Sequence, residues 1–125
     1  MSLSKSEEGF VKADEVEQMK PVEKNKDFTY KKMLLAGNTI MLSMEEVKPG
    51  FEEKPPYTQH DFEEIVYVLQ GKFEMIYPET GKRWIMEPGS AKLHPIGTKH
   101  KVKNLANESA IVLLVRGPRV PILLP

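Results

Sequence analysis

Three histidines, His60, His94 and His100, supply every imidazole in the chain, and all stand beside turn-forming residues. His60 precedes by four positions the run Glu64-Ile65-Val66-Tyr67-Val68-Leu69. Side chains alternate along an extended strand, so Glu64, Val66 and Val68 share one face and Ile65, Tyr67 and Leu69 the other. The even offset carries His60 to the side of Glu64 wherever the chain stays extended through Phe62. A carboxylate on an apolar face is costly unless something cationic neutralises it. In His100-Lys101-Val102-Lys103 the same parity turns His100 and Val102 one way and the two lysines the other, imidazole inward and ammonium outward. Two neutral imidazoles and one carboxylate, with room left for water or substrate, form a ligand set used by non-haem iron and several other divalent metals. The alternatives are an ion pair for His60 and Glu64 and a core position satisfied by backbone groups for His100.

His94 directly precedes Pro95 and shares a strand face with Lys92, whose ammonium argues for a solvated position. Lining a pocket and filling a ligand position are its other readings. Tyr57, Phe73, Met75, Tyr77 and Trp84 are pocket-shaping candidates, although apolar residues in alternation are ordinarily core. Lys99, Lys101 and Lys103 either attract an anionic substrate or form a solvated strand face. Asp61 and Glu63 flank His60 closely enough to orient an imidazole from behind.

Short β-branched and aromatic runs must position these residues. Expected strands are Phe28 to Leu35, Thr39 to Val47, Glu64 to Leu69, Lys72 to Tyr77, Arg83 to Met86, Ala91 to His94, Lys101 to Leu105 and Ala110 to Arg116. Turn chemistry separates nearly every pair, including Gly37-Asn38, Pro49-Gly50, Gln70-Gly71, Pro88-Gly89 and Asn107-Glu108. Close spacing of this kind predicts an all-β sandwich or barrel. Residues 1–26 read as an extended arm or an edge strand near Phe10 to Val16; Ala13 to Met19 alone carries a trace of helical period. Residues 27–118 make the barrel. Residues 119–125 form an apolar tail whose prolines keep it out of a central strand, and which either packs on the barrel or a second subunit or frays.

A chain of 125 residues suits one domain with a real core. Eighteen basic and eighteen acidic side chains cancel, which argues against nucleic acid and anionic membrane as partners. Without cysteine there is no disulfide, thiolate metal site or thiol nucleophile. The apolar runs are too short for a membrane helix and the first residues lack the apolar centre of a signal peptide, so a soluble, cytoplasmic protein is expected.

Two stretches resemble the motifs of the cupin family. Gly89, Pro95, Gly97, His100 and Asn104 meet its second motif, Gly-x5-Pro-x-Gly-x2-His-x3-Asn, without a gap. The first, Gly-x5-His-x-His-x3,4-Glu-x6-Gly, is met by His60, Glu64 and Gly71; Thr58 stands where its first histidine belongs, and Gly50 is two residues early. The resemblance implies a double-stranded β-helix, or jelly-roll barrel, with one divalent metal ion (iron, manganese, nickel or zinc) near one end on His60, Glu64 and His100. A threonine hydroxyl is a poor ligand, which leaves one position to solvent or another side chain, or metal binding weak; Thr58, His94 and Tyr57 are then pocket or supporting residues. The resemblance implies dioxygenase, decarboxylase, isomerase or lyase chemistry on a small organic molecule. A barrel that binds or senses a small molecule without turnover is the competing expectation, favoured by Thr58. Open jelly rolls leave apolar sheet faces, so a homodimer is expected.

Overall fold

The structure, a computed structural model, describes residues 9–23, 29–57 and 59–117. Thr58, the tail at 119–125 and the outer part of the N-terminal arm therefore lie outside the described residues. In chain order the elements are α1 (Ala13–Gln18), β1 (Val22–Glu23), β2 (Thr29–Ala36), β3 (Met41–Val47), β4 (Glu63–Gln70), β5 (Phe73–Tyr77), β6 (Lys82–Met86), β7 (Ala91–His94), β8 (Lys101–Lys103) and β9 (Ala110–Gly117). The eight strands expected from sequence are all present, with ends moved by no more than two residues.

The strands pair antiparallel in two sheets, a six-stranded one in the order β1-β2-β3-β9-β4-β7 and a three-stranded one in the order β6-β5-β8. The core lies between them, where Val47, Val66, Val68, Val112 and Leu114 meet Phe73, Met75 and Met86. This is the arrangement of a jelly roll whose sheets, among the described residues, do not close edge to edge into a complete barrel.

Period-two burial is cleanest on β4, where Glu64, Val66 and Val68 are buried while Ile65, Tyr67 and Leu69 are each 43% exposed. The turn into β5 requires Gly71. Its φ is +86°, and a Cβ there would stand 2.7 Å from the Ala110 Cα and the Ser109 carbonyl. On β9 the inward parity runs Ala110, Val112, Leu114, Arg116, which delivers a guanidinium to the same interior as Glu64.

Two expectations need correcting. The stretch near Phe10 to Val16 is not an edge strand: Lys12 is extended, but Ala13–Gln18, where the sequence carried its one trace of helical period, is a short helix with no buried residue. Glu15 Oε1 accepts from the Lys12 amide at 3.1 Å, and Asp14 and Glu15 favour the positive end of the turn. The edge strand is instead Val22–Glu23, paired with β2. Second, β8 stops at Lys103 rather than Leu105. Asn104 turns out of the ladder, fully buried, and its Nδ2 reaches the carbonyls of Val47, Lys48 and Glu108 at 3.1–3.2 Å.

Candidate metal centre

Glu64 sits at the start of β4 and pairs across the sheet with Arg116 of β9 on one side and His94 of β7 on the other. His60 lies in the loop before β4, held against the loop before β8 by two bonds. The Gly97 amide donates to the His60 carbonyl at 2.8 Å, and Gln59 Nε2 donates to the Gly97 carbonyl at 2.8 Å. Gly97, at φ +77°, lets that loop turn sharply enough to present His100 three residues later. Residues far apart in sequence are thus stapled into one rim.

His60 Nε2 lies 3.4 Å from Glu64 Oε2, and His100 Nε2 lies 3.5 Å from Glu64 Oε1. One ligand atom from each of the three residues falls within 4.8 Å of the others. His100 Nδ1 is 3.2 Å from the Thr98 carbonyl. A neutral ring donating there carries its lone pair on Nε2, toward Glu64. His60 Nε2 is buried and makes no hydrogen bond. Lone pairs converging on a small volume are what a cation resolves, so this donor set fits a divalent ion.

The carboxylate has a further partner that sequence reasoning missed. Arg116 Nε lies 2.5 Å from Glu64 Oε2, and Arg116 Nη2 lies 3.7 Å from Glu45 Oε2. Burial by itself would raise the Glu64 pKa. Without an ion, His100 and His60 lower it wherever their Nε2 carries the proton and donates to the carboxylate, and with the Arg116 guanidinium they outweigh burial and hold the carboxyl far below the usual range. The signal for Arg116 was present in the parity of β9, an arginine continuing the apolar positions Val112 and Leu114.

His94 is not at the surface, the position its shared face with Lys92 suggested: it is 1% exposed. Lys92 reconciles the two by snorkelling, its ammonium 4.4 Å from the Trp84 ring centre and 4.8 Å from that of Tyr77. The His94 ring stacks on His100 at 4.0 Å between centres and 6° between planes. An ion must lie in the plane of each imidazole that binds it, about 2 Å from the nitrogen. Two parallel planes set apart in this way share no such point, so His94 is not placed to join His100 on one ion. Burial first, then the neighbouring His100, pushes the His94 pKa down to about 3.

Tyr57 is half-buried, with Lys101 Nζ 5.4 Å from its ring centre. Asp61 and Glu63 are exposed. Phe62, not an acid, lies against His60, its ring stacked at 4.6 Å. Beside Glu64 and His100 the interior cavity, walled also by Phe73, Met75 and Val102, measures about 30 Å³, room on the order of one water molecule. Among the three, His60, with a side chain 16% exposed, is more open than Glu64 and His100 at 4% and 6%.

Comparison with known proteins agrees with this architecture. The family model for the cupin domain matches residues 43–116. No curated protein matches the sequence. Among solved structures, the polyketide cyclase RemF from Streptomyces resistomycificus superposes with a TM-score of 0.75 at 22% identity, over 90% of this chain and 83% of that one. KdgF from Halomonas sp. gives 0.73 at 24% identity, over 89% and 95%. The DMSP lyase DddQ from Ruegeria pomeroyi DSS-3 gives 0.68 at 18% identity, over 86% of this chain and 56% of that one.

Proposed function

The chain belongs to the cupin domain family, and from that footing we propose that it is a metal-binding cupin acting on a small organic molecule, with one divalent ion held by His60, Glu64 and His100. The convergence of their three ligand atoms within 4.8 Å carries this reading. A divalent ion in such a set supplies Lewis acidity, or a place for dioxygen, at its open positions.

The protein's own groups have definite tasks. Arg116 holds Glu64 Oε2 and leaves Oε1 facing His100. Thr98 sets the His100 tautomer through Nδ1. His60 stands at the rim, where substrate enters. Small-molecule chemistry is also what the names of two structural neighbours describe, a polyketide cyclase and a DMSP lyase. A decarboxylase, dioxygenase, isomerase or lyase reaction is compatible with the site.

Arg116 favours a second reading. It already neutralises Glu64 without a metal, and the 30 Å³ interior leaves little room beside the ligands. A non-catalytic barrel that binds a small molecule at its rim is consistent with both facts. Elemental analysis of protein purified without chelator or metal-binding tag separates the two. Near-stoichiometric iron, manganese, nickel or zinc supports the metal-dependent reading; trace metal, with no rise in melting temperature on adding any of the four, overturns it. We also propose a homodimer, supported by the exposed row Ile65, Tyr67, Leu69 and Leu93 on the outer face of β4 and β7.

A further inference from the structure

Tyr77 and His94 stand on opposite sheets, Tyr77 ending β5 and His94 ending β7, and they meet beside the candidate ligands. Tyr77 Oη and His94 Nδ1 are 2.8 Å apart, and the same hydroxyl lies 3.3 Å from the Leu93 carbonyl, to which it donates. The phenol ring is itself held: Trp84 packs edge-on at 4.6 Å between centres, and Lys92 covers both rings. His94 is thus fixed on one edge by a hydrogen bond that spans the two sheets.

Its other nitrogen, Nε2, is buried and has no hydrogen-bond partner among the described residues. What His94 offers the site is its face. That face lies flat on His100 at 4.0 Å and 6°, whereas His60 meets His100 at 5.4 Å and 51°. His100 Nδ1 is 3.2 Å from the Thr98 carbonyl and Nε2 is 3.5 Å from Glu64 Oε1, two contacts at the ring's edge about which it can still rotate. A flat surface against one side removes that rotation and keeps Nε2 aimed at Glu64.

We propose that His94, anchored by Tyr77, is a positioning residue that sets the ring plane of His100 for metal binding. The inference rests on the metal-binding reading above. It explains why an imidazole occupies a fully buried site beside a ligand without ligating: Phe would supply the face and lose the anchor, and Ala would lose both.

Titration of the metal-free protein with Co²⁺, following the visible ligand-field bands, tests this against the apo melting temperature measured in parallel. His94→Ala is expected to weaken Co²⁺ binding about tenfold and to change the band positions, because His100 reaches the ion with its ring rotated. His94→Phe, which keeps a flat ring, restores affinity to within about threefold of wild type, and Tyr77→Phe weakens it by about threefold. Wild-type affinity and spectrum in both His94→Ala and Tyr77→Phe overturn the inference while leaving metal binding intact. His94→Phe binding as weakly as His94→Ala overturns it too, because the nitrogen and not the face would then be what matters. Should His94→Ala fail to fold, Tyr77→Phe decides: a wild-type spectrum and affinity there overturn the inference. No Co²⁺ binding by the wild type overturns the metal reading itself, and this inference with it.

Discussion

Arg116 Nε sits 2.5 Å from Glu64 Oε2 in an interior where the two side chains are 7% and 4% exposed, so the carboxylate at the centre of the site has a built-in counter-charge. A buried ion pair gains little over an apolar pair, but breaking one by removing a single partner is expensive. The pair therefore keeps the strand ends of β4 and β9 in register whether or not a metal is bound.

Arg116→Met is expected to destabilise the metal-free protein by about 3–5 kcal/mol, since Glu64 is left buried without its permanently charged partner. Added divalent metal restores more stability to this variant than to wild type, because the ion then takes over the neutralisation. Urea denaturation with chelator and with metal measures both effects; equal metal responses in the two proteins contradict the account.

Glu64→Gln and His100→Ala are each expected to lower metal retained through purification to trace level, whereas Glu74→Gln, on the outer surface with Arg83, leaves it unchanged. Mass-spectrometric metal analysis of the folded variants reads this directly. Retention of near-stoichiometric metal by His100→Ala contradicts the assigned ligand set.

His94 gives the metal-free protein a pH signature. Its folded pKa, pushed down to about 3 by burial and then by His100, lies below the unfolded value of about 6.5. Between these values the unfolded chain binds a proton that the folded chain does not. The stability this group protects is therefore full above pH 6.5 and is lost as pH falls toward 3, with a slope approaching about 1.4 kcal/mol per pH unit. Denaturation of chelated wild type and His94→Phe from pH 7.5 to 5 is expected to show the slope in the first and a shallower one in the second.

Asn104→Ala is expected to cost about 2–3 kcal/mol. The two hydrogens of its Nδ2 are shared among the carbonyls of Val47, Lys48 and Glu108, and its Oδ1 accepts from the Ala106 amide, so its loss strands the buried Val47 carbonyl and loosens part-buried contacts beside it. Thermal denaturation followed by circular dichroism checks the magnitude; a change below about 0.5 kcal/mol contradicts this structural role.

For the homodimer, Tyr67→Lys on the outward face of β4 is expected to convert a dimer to a folded monomer, because the charge enters an apolar surface without touching the core. Sedimentation of the wild type as a monomer across micromolar concentrations contradicts the proposal outright.

The sequence by itself determined the strands, their faces and the three candidate ligands, because strand parity and turn chemistry are local: Glu64, Val66 and Val68 point inward as alternation requires, and Gly71, Gly97 and Asn104 stand where a tight turn or a buried staple needs them. Arg116 was legible in the same way, as an arginine at an inward position of β9. His94 was not. Its burial depends on Tyr77 and Trp84 of the opposite sheet, which draw Lys92 across their rings and leave the imidazole dry against His100. The helix at Ala13–Gln18 left only a weak apolar period in the sequence, and the bond from the Lys12 amide to Glu15 that caps it is a detail the period does not show. Which face a side chain takes follows from its own strand. What it meets there is decided by chain segments distant in sequence, and only the packing of the two sheets brings those together.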